Sequence, residues 1–181
     1  MCLYFYNELE KKLKSNYQIK KAINEEKYFK IDTNLYSDKK YVNSLEIINK
    51  KYPEGIITMD SAFYYYNLTD VVPDYYYLAT KRNNTRIKDN NIKQVFIQND
   101  LFDFGKTEII IENVKINIYD KERMLIELVR KRNSVAFDYY KEIINNYRHI
   151  TGELDMYKLQ EYLSYYKNGH SLYDILMKEV F

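Results

Sequence analysis

Several residue types are scarce in this chain of 181 residues, and each scarcity excludes a class of protein or site. Cys2 is the only cysteine, which excludes an intramolecular disulfide and a cysteine-based zinc site. No apolar run approaches the roughly 18 residues that a membrane span needs. The N-terminus also lacks the basic and apolar segments of a signal peptide. We therefore expect a soluble, cytoplasmic protein that does not cross a membrane.

Residues with the spacing of a catalytic or metal site are equally scarce. His149 and His170, the two histidines, lie on or beside different predicted helices and lack metal-ligand spacing. Gly105-Lys106-Thr107 is similar to the end of a phosphate-binding loop. However, it leads into a predicted strand, whereas such a loop needs a helix N-terminus to hold phosphate. Neither feature predicts an enzyme.

One group of acidic residues leaves an enzymatic alternative open. Asp103, Glu108 and Glu112 lie near predicted strand ends, together with Lys115. If the three carboxylates converge, they can hold Mg²⁺ as in a metal-dependent nuclease. If they do not, they are ordinary polar residues on the surface of a hairpin.

Charge is distributed unevenly along the chain. The net charge is only +2, yet residues 1–51 hold 11 Lys or Arg against 7 Asp or Glu, a balance of +4. Residues 52–181 therefore carry −2. A basic site must be local, and the N-terminal part is the one expected to meet phosphates.

Tyrosine occurs 22 times, and two interpretations are open. The rings can act as stacking platforms for bases, or they can serve as amphipathic residues of the core and its boundary. Tyr, Asn, Ile and Lys are all abundant and all have AT-rich codons, which favours the second interpretation.

Two helices are predicted at the start of the chain. Leu3, Phe5, Leu9 and Leu13 can share one face of a first helix. Ser15 can cap a second helix. The inward side of that helix is predicted from Tyr17, Ile19, Ala22 and Ile23, and its other face from Lys20, Lys21 and Lys27.

A hairpin is predicted directly after this helix. Residues 29–37 alternate apolar and polar side chains around Asp32-Thr33-Asn34, and Asn and Asp tolerate the backbone of a short turn. A lysine-bearing helix followed by a small hairpin is the arrangement of a winged helix that binds DNA. The alternative is a helix and hairpin that only support the main domain.

Residues 55–83 form the next predicted unit. Asp60 or Ser61 can cap a helix, and Pro73 prevents that helix from continuing. Residues 75–80 then predict a strand that carries Lys81 and Arg82 at its end. A strand that ends in a cationic loop is typical of a recognition surface.

The remainder predicts a sheet followed by helices. Strands are expected at 92–97 and in two segments of 107–119 joined at Glu112-Asn113. Asp120 and Asp155 then begin helices. The order indicates an α+β fold, with a short winged-helix-like domain at 1–52 and a domain at 53–181 in which about four strands pack with C-terminal helices.

Arg123 has two possible roles. It can pair with Glu127 four residues later as a structural clamp. Alternatively, it can belong to one cationic surface for nucleic acid or an acidic protein. That surface would comprise Lys81, Arg82, Arg86, Lys88, Arg123, Arg130, Lys131 and Arg132.

Three segments carry a resemblance to a known family. They are ITMDSAFYYYNLTDVVPDYYYLATKRN, KINIYDKERMLIELVRKRN and FDYYKEIINNYR. Their sharpest points are Ser61-Ala62, Leu68-Thr69, Pro73, Ala79-Thr80, Tyr119-Asp120 and Glu122-Arg123. Over residues 15–181 the chain resembles the AbiEi family of antitoxins and transcriptional regulators in abortive-infection toxin/antitoxin systems of phage defence. The N-terminal region is short for this family, and Glu127 stands where an aspartate is usual.

The resemblance implies a function without catalysis. Such proteins repress their own operon through an N-terminal winged helix and counteract a nucleotidyltransferase-like toxin encoded nearby. It implies a recognition helix within residues 17–30 and a wing at 32–37. With the basic N-terminal segment, this order of elements predicts DNA contacts from Lys20, Lys21, Lys27 and Asn34. We therefore expect a type IV antitoxin that binds operator DNA and has no cofactor or metal. The alternatives are the metal-dependent nuclease and a protein interaction module that does not bind DNA.

Overall fold

The computed structural model describes residues 3–181, so Cys2 lies outside the described residues. The chain divides into two compact units, Met1–Pro53 and Glu54–Phe181. The sequence places the domain boundary between residues 52 and 53.

The N-terminal unit consists of a small sheet and three helices. Its elements are β1 (Leu3–Phe5), α1 (Tyr6–Leu13), α2 (Asn16–Asn24), β2 (Phe29–Asp32), β3 (Leu35–Ser37) and α3 (Ser44–Lys51). The three strands are antiparallel in the order β1-β3-β2. Leu9, Ile19, Leu35 and Leu45 are buried and form the centre of its core.

Local signals in this unit correctly predict most of its elements. The Ser15 hydroxyl accepts a hydrogen bond from the Gln18 amide at 3.2 Å, which confirms the predicted helix cap. The predicted hairpin at 29–37 is also confirmed. Leu3 and Phe5 do not continue the first helix, because they pair with Ser37 and Leu35 in the sheet.

The C-terminal unit contains the larger sheet and most of the helices. Its strands are β4 (Ile56–Ile57), β5 (Tyr76–Lys81), β6 (Ile92–Ile97), β7 (Lys106–Ile111) and β8 (Val114–Tyr119). Its helices are α4 (Met59–Tyr65), α5 (Asn99–Phe102), α6 (Lys121–Arg130), α7 (Phe137–His149), α8 (Met156–Ser164) and α9 (Gly169–Glu179). Single 3-10 turns occupy Arg132–Ser134 and Thr151–Glu153. The predicted α+β class is thereby confirmed.

The sheet of this unit has five strands in the order β6-β5-β4-β8-β7, not about four. The missed strand is β4, which is only two residues long and lies at the centre. Ile57 pairs with Leu78 on one side and Ile118 on the other. Such a short strand is defined by its distant partners, so the local pattern does not indicate it.

Neither Asp60 nor Ser61 caps a helix, which corrects the prediction. The cap position of α4 is Thr58, and Ser61 is fully buried inside the helix. Its hydroxyl accepts a hydrogen bond from the Tyr77 amide at 2.9 Å and donates one to the Tyr75 carbonyl at 3.1 Å. Ser61 therefore fixes α4 to the start of β5.

One turn and one helix cap form as predicted. Glu112 and Asn113 join β7 to β8 with φ angles of 48° and 65°, the backbone that a two-residue hairpin turn requires. The Asp120 carboxylate accepts a hydrogen bond from the Arg123 amide at 2.9 Å at the start of α6. Every residue of α6 from 122 to 129 is buried, so this helix is the centre of the unit.

Within residues 3–181, the helices are too short or too polar for any of them to cross a bilayer.

Candidate nucleic-acid interface

Helix α2 has one buried side and one exposed polar side. Ile19 and Ala22 are buried against the rest of the N-terminal unit. Four of its exposed residues, called the α2 stripe below, are Tyr17, Lys20, Lys21 and Asn24. Because these positions are spaced by three and four residues, they share one face of the helix. Tyr17 is 72% exposed, so its predicted inward position is wrong.

A short turn positions α2 after α1. Lys14 takes a left-handed backbone with φ 66°, and its amide donates to the Glu10 carbonyl at 2.7 Å. Ser15 then caps α2. The segment before Tyr17 thus holds both β1 and α1, and a helix precedes the predicted recognition helix.

The hairpin that follows α2 has a defined tip. Asn34 adopts φ 62°, as expected for its turn position, and its carbonyl accepts a hydrogen bond from the Tyr6 amide at 3.1 Å. The one acidic residue near the tip, Asp32, is paired with Lys51 at 2.7 Å. The hydrogen bond that the Lys51 amino group donates to Asp32 is the main reason why the pKa of Asp32 lies below its usual value. The Asp32 charge is therefore balanced internally.

The three lysines predicted to contact DNA are not equivalent. Lys27 lies beyond the end of α2 at Asn24, so it does not belong to the helix face on which it was predicted. Its amino group is 2.7 Å from Glu25, and that of Lys21 is 3.8 Å from the same residue. The hydrogen bond from Lys27 is the main cause of a lowered Glu25 pKa. Lys20 is exposed and makes no ion pair within the described part of the chain.

The α2 stripe carries the chemistry that a phosphate backbone needs. Lysine ammonium groups neutralise phosphates, and Tyr and Asn side chains donate hydrogen bonds to phosphate oxygens or base edges. Lys20 occupies the middle of the stripe and is exposed, so its ammonium group is accessible to an anion. The Lys21 and Lys27 ammonium groups have Glu25 as a competing partner.

A second basic segment lies in the C-terminal unit after β5. Arg82, Arg86 and Lys88 are exposed and form no ion pair with an acidic residue among residues 3–181. Lys81 lies at the end of β5, as predicted, and is 3.8 Å from Asp103. Residues 82–88 are called the basic loop below.

Gln94 holds the basic loop against the sheet. Its side-chain oxygen accepts a hydrogen bond from the Ile87 amide at 2.8 Å. Its side-chain nitrogen donates to the Thr80 hydroxyl at 2.7 Å and to the Thr85 carbonyl at 3.2 Å. One side chain on β6 thus connects two points of the loop with β5. The sequence offers no local signal for this role, because Gln94 meets Thr80 only through the pairing of β5 with β6.

The cationic surface predicted around Arg123 does not form as a single surface. Arg123 is only 1% exposed, so it cannot contact a partner directly. Arg130 donates two hydrogen bonds of 2.9 Å to Glu127, and Arg132 lies 3.5 Å from Glu179. These three arginines have internal partners, whereas the arginines of the basic loop do not.

The predicted clamp between Arg123 and Glu127 is confirmed, with Nη2 3.0 Å from Oε1. The rings of Phe104, Tyr119 and Tyr166 surround the guanidinium with centroids at 4.7, 5.2 and 5.5 Å. Nε and Nη1 are buried without a hydrogen-bond acceptor in residues 3–181, so attraction to the ring faces offsets part of their desolvation.

Tyrosine hydroxyls complete this buried cluster. Tyr166 donates to Glu127 at 3.0 Å, and Tyr162 donates to Asp120 at 2.8 Å. Burial raises the pKa of Asp120 despite hydrogen bonds from the Arg123 amide and Tyr162. These tyrosines pack in the core and stabilise buried charge, as the second interpretation of the tyrosine content proposes.

The predicted carboxylate group does not form a metal site. Among residues 3–181, no three His, Cys, Asp or Glu side chains come close enough to hold a metal ion. Glu108 is paired with Lys115 at 2.6 Å, and Asp103 lies near Lys81. Glu112 lies in the turn at the far end of β7 from Asp103. The nuclease alternative therefore lacks its ligand set in the described residues.

The phosphate-loop likeness at Gly105-Lys106-Thr107 leads directly into β7, as predicted. Gly105 has φ +69°, and a Cβ built there would lie 2.8 Å from the Arg123 Cβ. A close approach to α6 therefore explains this glycine without a phosphate.

Comparisons with known proteins do not place the chain in a family, because no protein-family model matches it and no curated protein matches it significantly.

Proposed function

We propose that the protein binds double-stranded DNA through its N-terminal unit. The observation that carries this proposal is the α2 stripe, an exposed helix face of Tyr17, Lys20, Lys21 and Asn24 followed by the β2–β3 hairpin. A helix of this width fits the major groove, and a hairpin beside it reaches the phosphate backbone. The balance of +4 over residues 1–51 adds attraction for DNA.

The biological role that we propose is that of an antitoxin. The resemblance of residues 15–181 to AbiEi proteins supports a partnership with a nucleotidyltransferase-like toxin encoded nearby and control of their shared operon. The binding of operator DNA by the α2 stripe would supply the regulatory half of this role. The resemblance implies no cofactor and no catalysis for either half.

Two assays separate the halves of the proposal. A mobility-shift assay with the protein and the DNA upstream of its own gene tests DNA binding. We expect a shift that weakens steeply with salt, since each neutralised phosphate releases counterions. The absence of a shift at low salt would contradict DNA binding. Co-expression with the neighbouring toxin tests the antitoxin half, and failure to restore growth would contradict it.

A second candidate function is a protein interaction module, and the basic loop favours it. Arg82, Arg86 and Lys88 are exposed, and Gln94 restrains the backbone that carries them. A restrained loop loses less conformational entropy on binding than a mobile one. The loop carries three positive side chains, so it is a suitable contact for an acidic protein surface. If Arg82→Glu with Arg86→Glu abolished toxin capture but left the mobility shift intact, the loop would be the protein-binding surface.

A further inference from the structure

A cavity of about 650 Å³ lies beside α7, lined also by the 3-10 turn at Arg132–Ser134 and by Glu179 at the end of α9. Its α7 wall consists of residues spaced by three and four positions, which is one face of the helix. The volume is typical of small-molecule sites. Neither the α2 stripe nor the basic loop contributes to this cavity, called the α7 groove below.

Three cations line the α7 groove. Arg132 comes from the 3-10 turn, and Lys141 and Arg148 come from α7. Glu179 is the only acidic residue in the lining. The groove thus has an excess of two positive charges in a unit whose net charge is negative. An excess of this kind attracts an anion.

The cations are incompletely neutralised. Arg132 Nη1 is 3.5 Å from a Glu179 carboxylate oxygen, whereas Arg148 Nε donates to the Glu179 main-chain carbonyl at 2.7 Å. Tyr140 donates to the same carboxylate at 2.6 Å. Lys141 makes no ion pair among residues 3–181. The Glu179 side chain therefore satisfies one cation and leaves two for a ligand.

An aromatic ring stands on the same wall. Phe137 is 67% exposed at the first turn of α7, and the Lys141 amino group lies 4.5 Å from its ring centroid. A large exposed aromatic side chain has a free face for stacking on a base. Asn133 and Asn145 add amide groups that can donate to or accept from a base edge. Val135 and Ile144 add apolar side chains to the lining.

We propose that the α7 groove binds a nucleoside phosphate. The base stacks on Phe137, and the phosphates lie against Lys141 and Arg148, the two cations that the Glu179 side chain leaves without a carboxylate partner. The combination is more specific than a basic patch, because it joins an exposed ring to two amides and to cations within one concave site. This inference goes beyond the proposed DNA binding and does not depend on it.

The test is a calorimetric titration of the full chain with ATP, with inorganic tripolyphosphate and with adenosine. We expect saturable binding of ATP, and binding at least about tenfold weaker for each of the other two, since each lacks one half of the ligand. Lys141→Glu and Phe137→Ala should each weaken ATP binding by about tenfold, as expected for the loss of a charged or stacking contact. Lys106→Glu, the same charge change on β7, should bind ATP as the unaltered protein does.

Several results would overturn the inference. No saturable heat with ATP up to about 1 mM would do so, because that affinity is weaker than most specific ligand sites need. Tripolyphosphate that binds as tightly as ATP would exclude the stacking role of Phe137. Equal losses in Lys141→Glu and Lys106→Glu would indicate attraction by net charge alone. Phe137, Lys141 and Lys106 are all exposed, and circular dichroism verifies that each variant is folded.

Discussion

Arg123 and Glu127 form an ion pair of 3.0 Å inside the C-terminal unit, with their side chains only 1% and 4% exposed. Three aromatic rings surround Arg123, while Tyr166 and Arg130 donate further hydrogen bonds to Glu127. The pair lies on α6, the central helix of the unit. It is therefore a support of the fold and not a contact for a partner.

Removal of Glu127 should destabilise the protein strongly. Glu127→Ala leaves the buried Arg123 charge without its counter-ion, and breaking a buried pair costs about 3–5 kcal/mol. The free energy of unfolding in urea measures the effect. Glu161→Ala, which removes an exposed acid on α8, should change it by less than about 0.5 kcal/mol. Similar values for both variants would contradict a structural role for the pair.

Loss of the Ser61 hydroxyl should also weaken the fold. Ser61→Ala leaves the half-buried Tyr77 amide without its acceptor, and we expect a cost of about 1 kcal/mol, the lower end of the range for an unsatisfied buried group. Urea unfolding of Ser61→Ala against Ser134→Ala, an exposed serine, measures the difference. If Ser61→Ala unfolds at the same urea concentration as the control, the hydrogen bonds of Ser61 with β5 and the residue before it do not stabilise the fold.

Asp120 should make stability depend on pH in a defined direction. Burial raises its folded-state pKa, so its contribution is greatest below the unfolded value of about 3.9 and is lost as pH rises through the folded value. Asp120→Asn keeps an acceptor for the Arg123 amide but does not titrate. The unfolding free energy of the unaltered protein minus that of the variant should fall from acid to neutral pH.

Other carboxylates act in the opposite sense. Glu8, Glu25 and Asp32 have lowered pKa values, so they add stability that is lost as pH falls. These three carboxylates are present in the unaltered protein and in Asp120→Asn, so their contributions cancel in the difference between the two unfolding free energies. A difference that stays flat or rises toward neutral pH would show that burial of Asp120 does not disfavour its charge.

Gln94 should restrain the basic loop. Its side chain accepts a hydrogen bond from the Ile87 amide, so Gln94→Ala should speed hydrogen exchange at that amide by about tenfold, the loss of a bond worth about 1 kcal/mol or more. Exchange in peptides that cover residues 82–93 measures the effect. Gln98→Ala, an exposed glutamine after β6, serves as the control. Unchanged exchange in Gln94→Ala would mean that the loop is restrained by other contacts.

The sequence predicts those parts of the fold that local chemistry decides. Ser15, Asp120 and Asp155 cap helices because a side-chain oxygen can reach amides two or three residues on. The Glu112-Asn113 turn follows from backbone preference in the same way. By contrast, β4 is defined by pairing with residues more than twenty positions away, and its two residues carry no periodic pattern.

The residues of the candidate sites also differ in whether local spacing or distant partners determine their positions. Lys20 and Lys21 are predicted correctly on an exposed face because helical spacing sets that face. The burial of Arg123 is not predictable, because it depends on Phe104 and Tyr166, which approach from distant parts of the chain. The role of Gln94 and the assembly of the α7 groove depend on distant partners as well.

The salt dependence of DNA binding tests the central claim most directly. Fluorescence anisotropy with labelled upstream DNA gives the slope of log affinity against log salt for the unaltered protein, Lys20→Gln and Lys106→Gln. We predict that Lys20→Gln weakens binding and reduces the slope by about one, as the loss of one phosphate contact requires, while Lys106→Gln changes neither. An unchanged affinity and slope in Lys20→Gln, or no binding by the unaltered protein at low salt, would contradict DNA recognition by the α2 stripe.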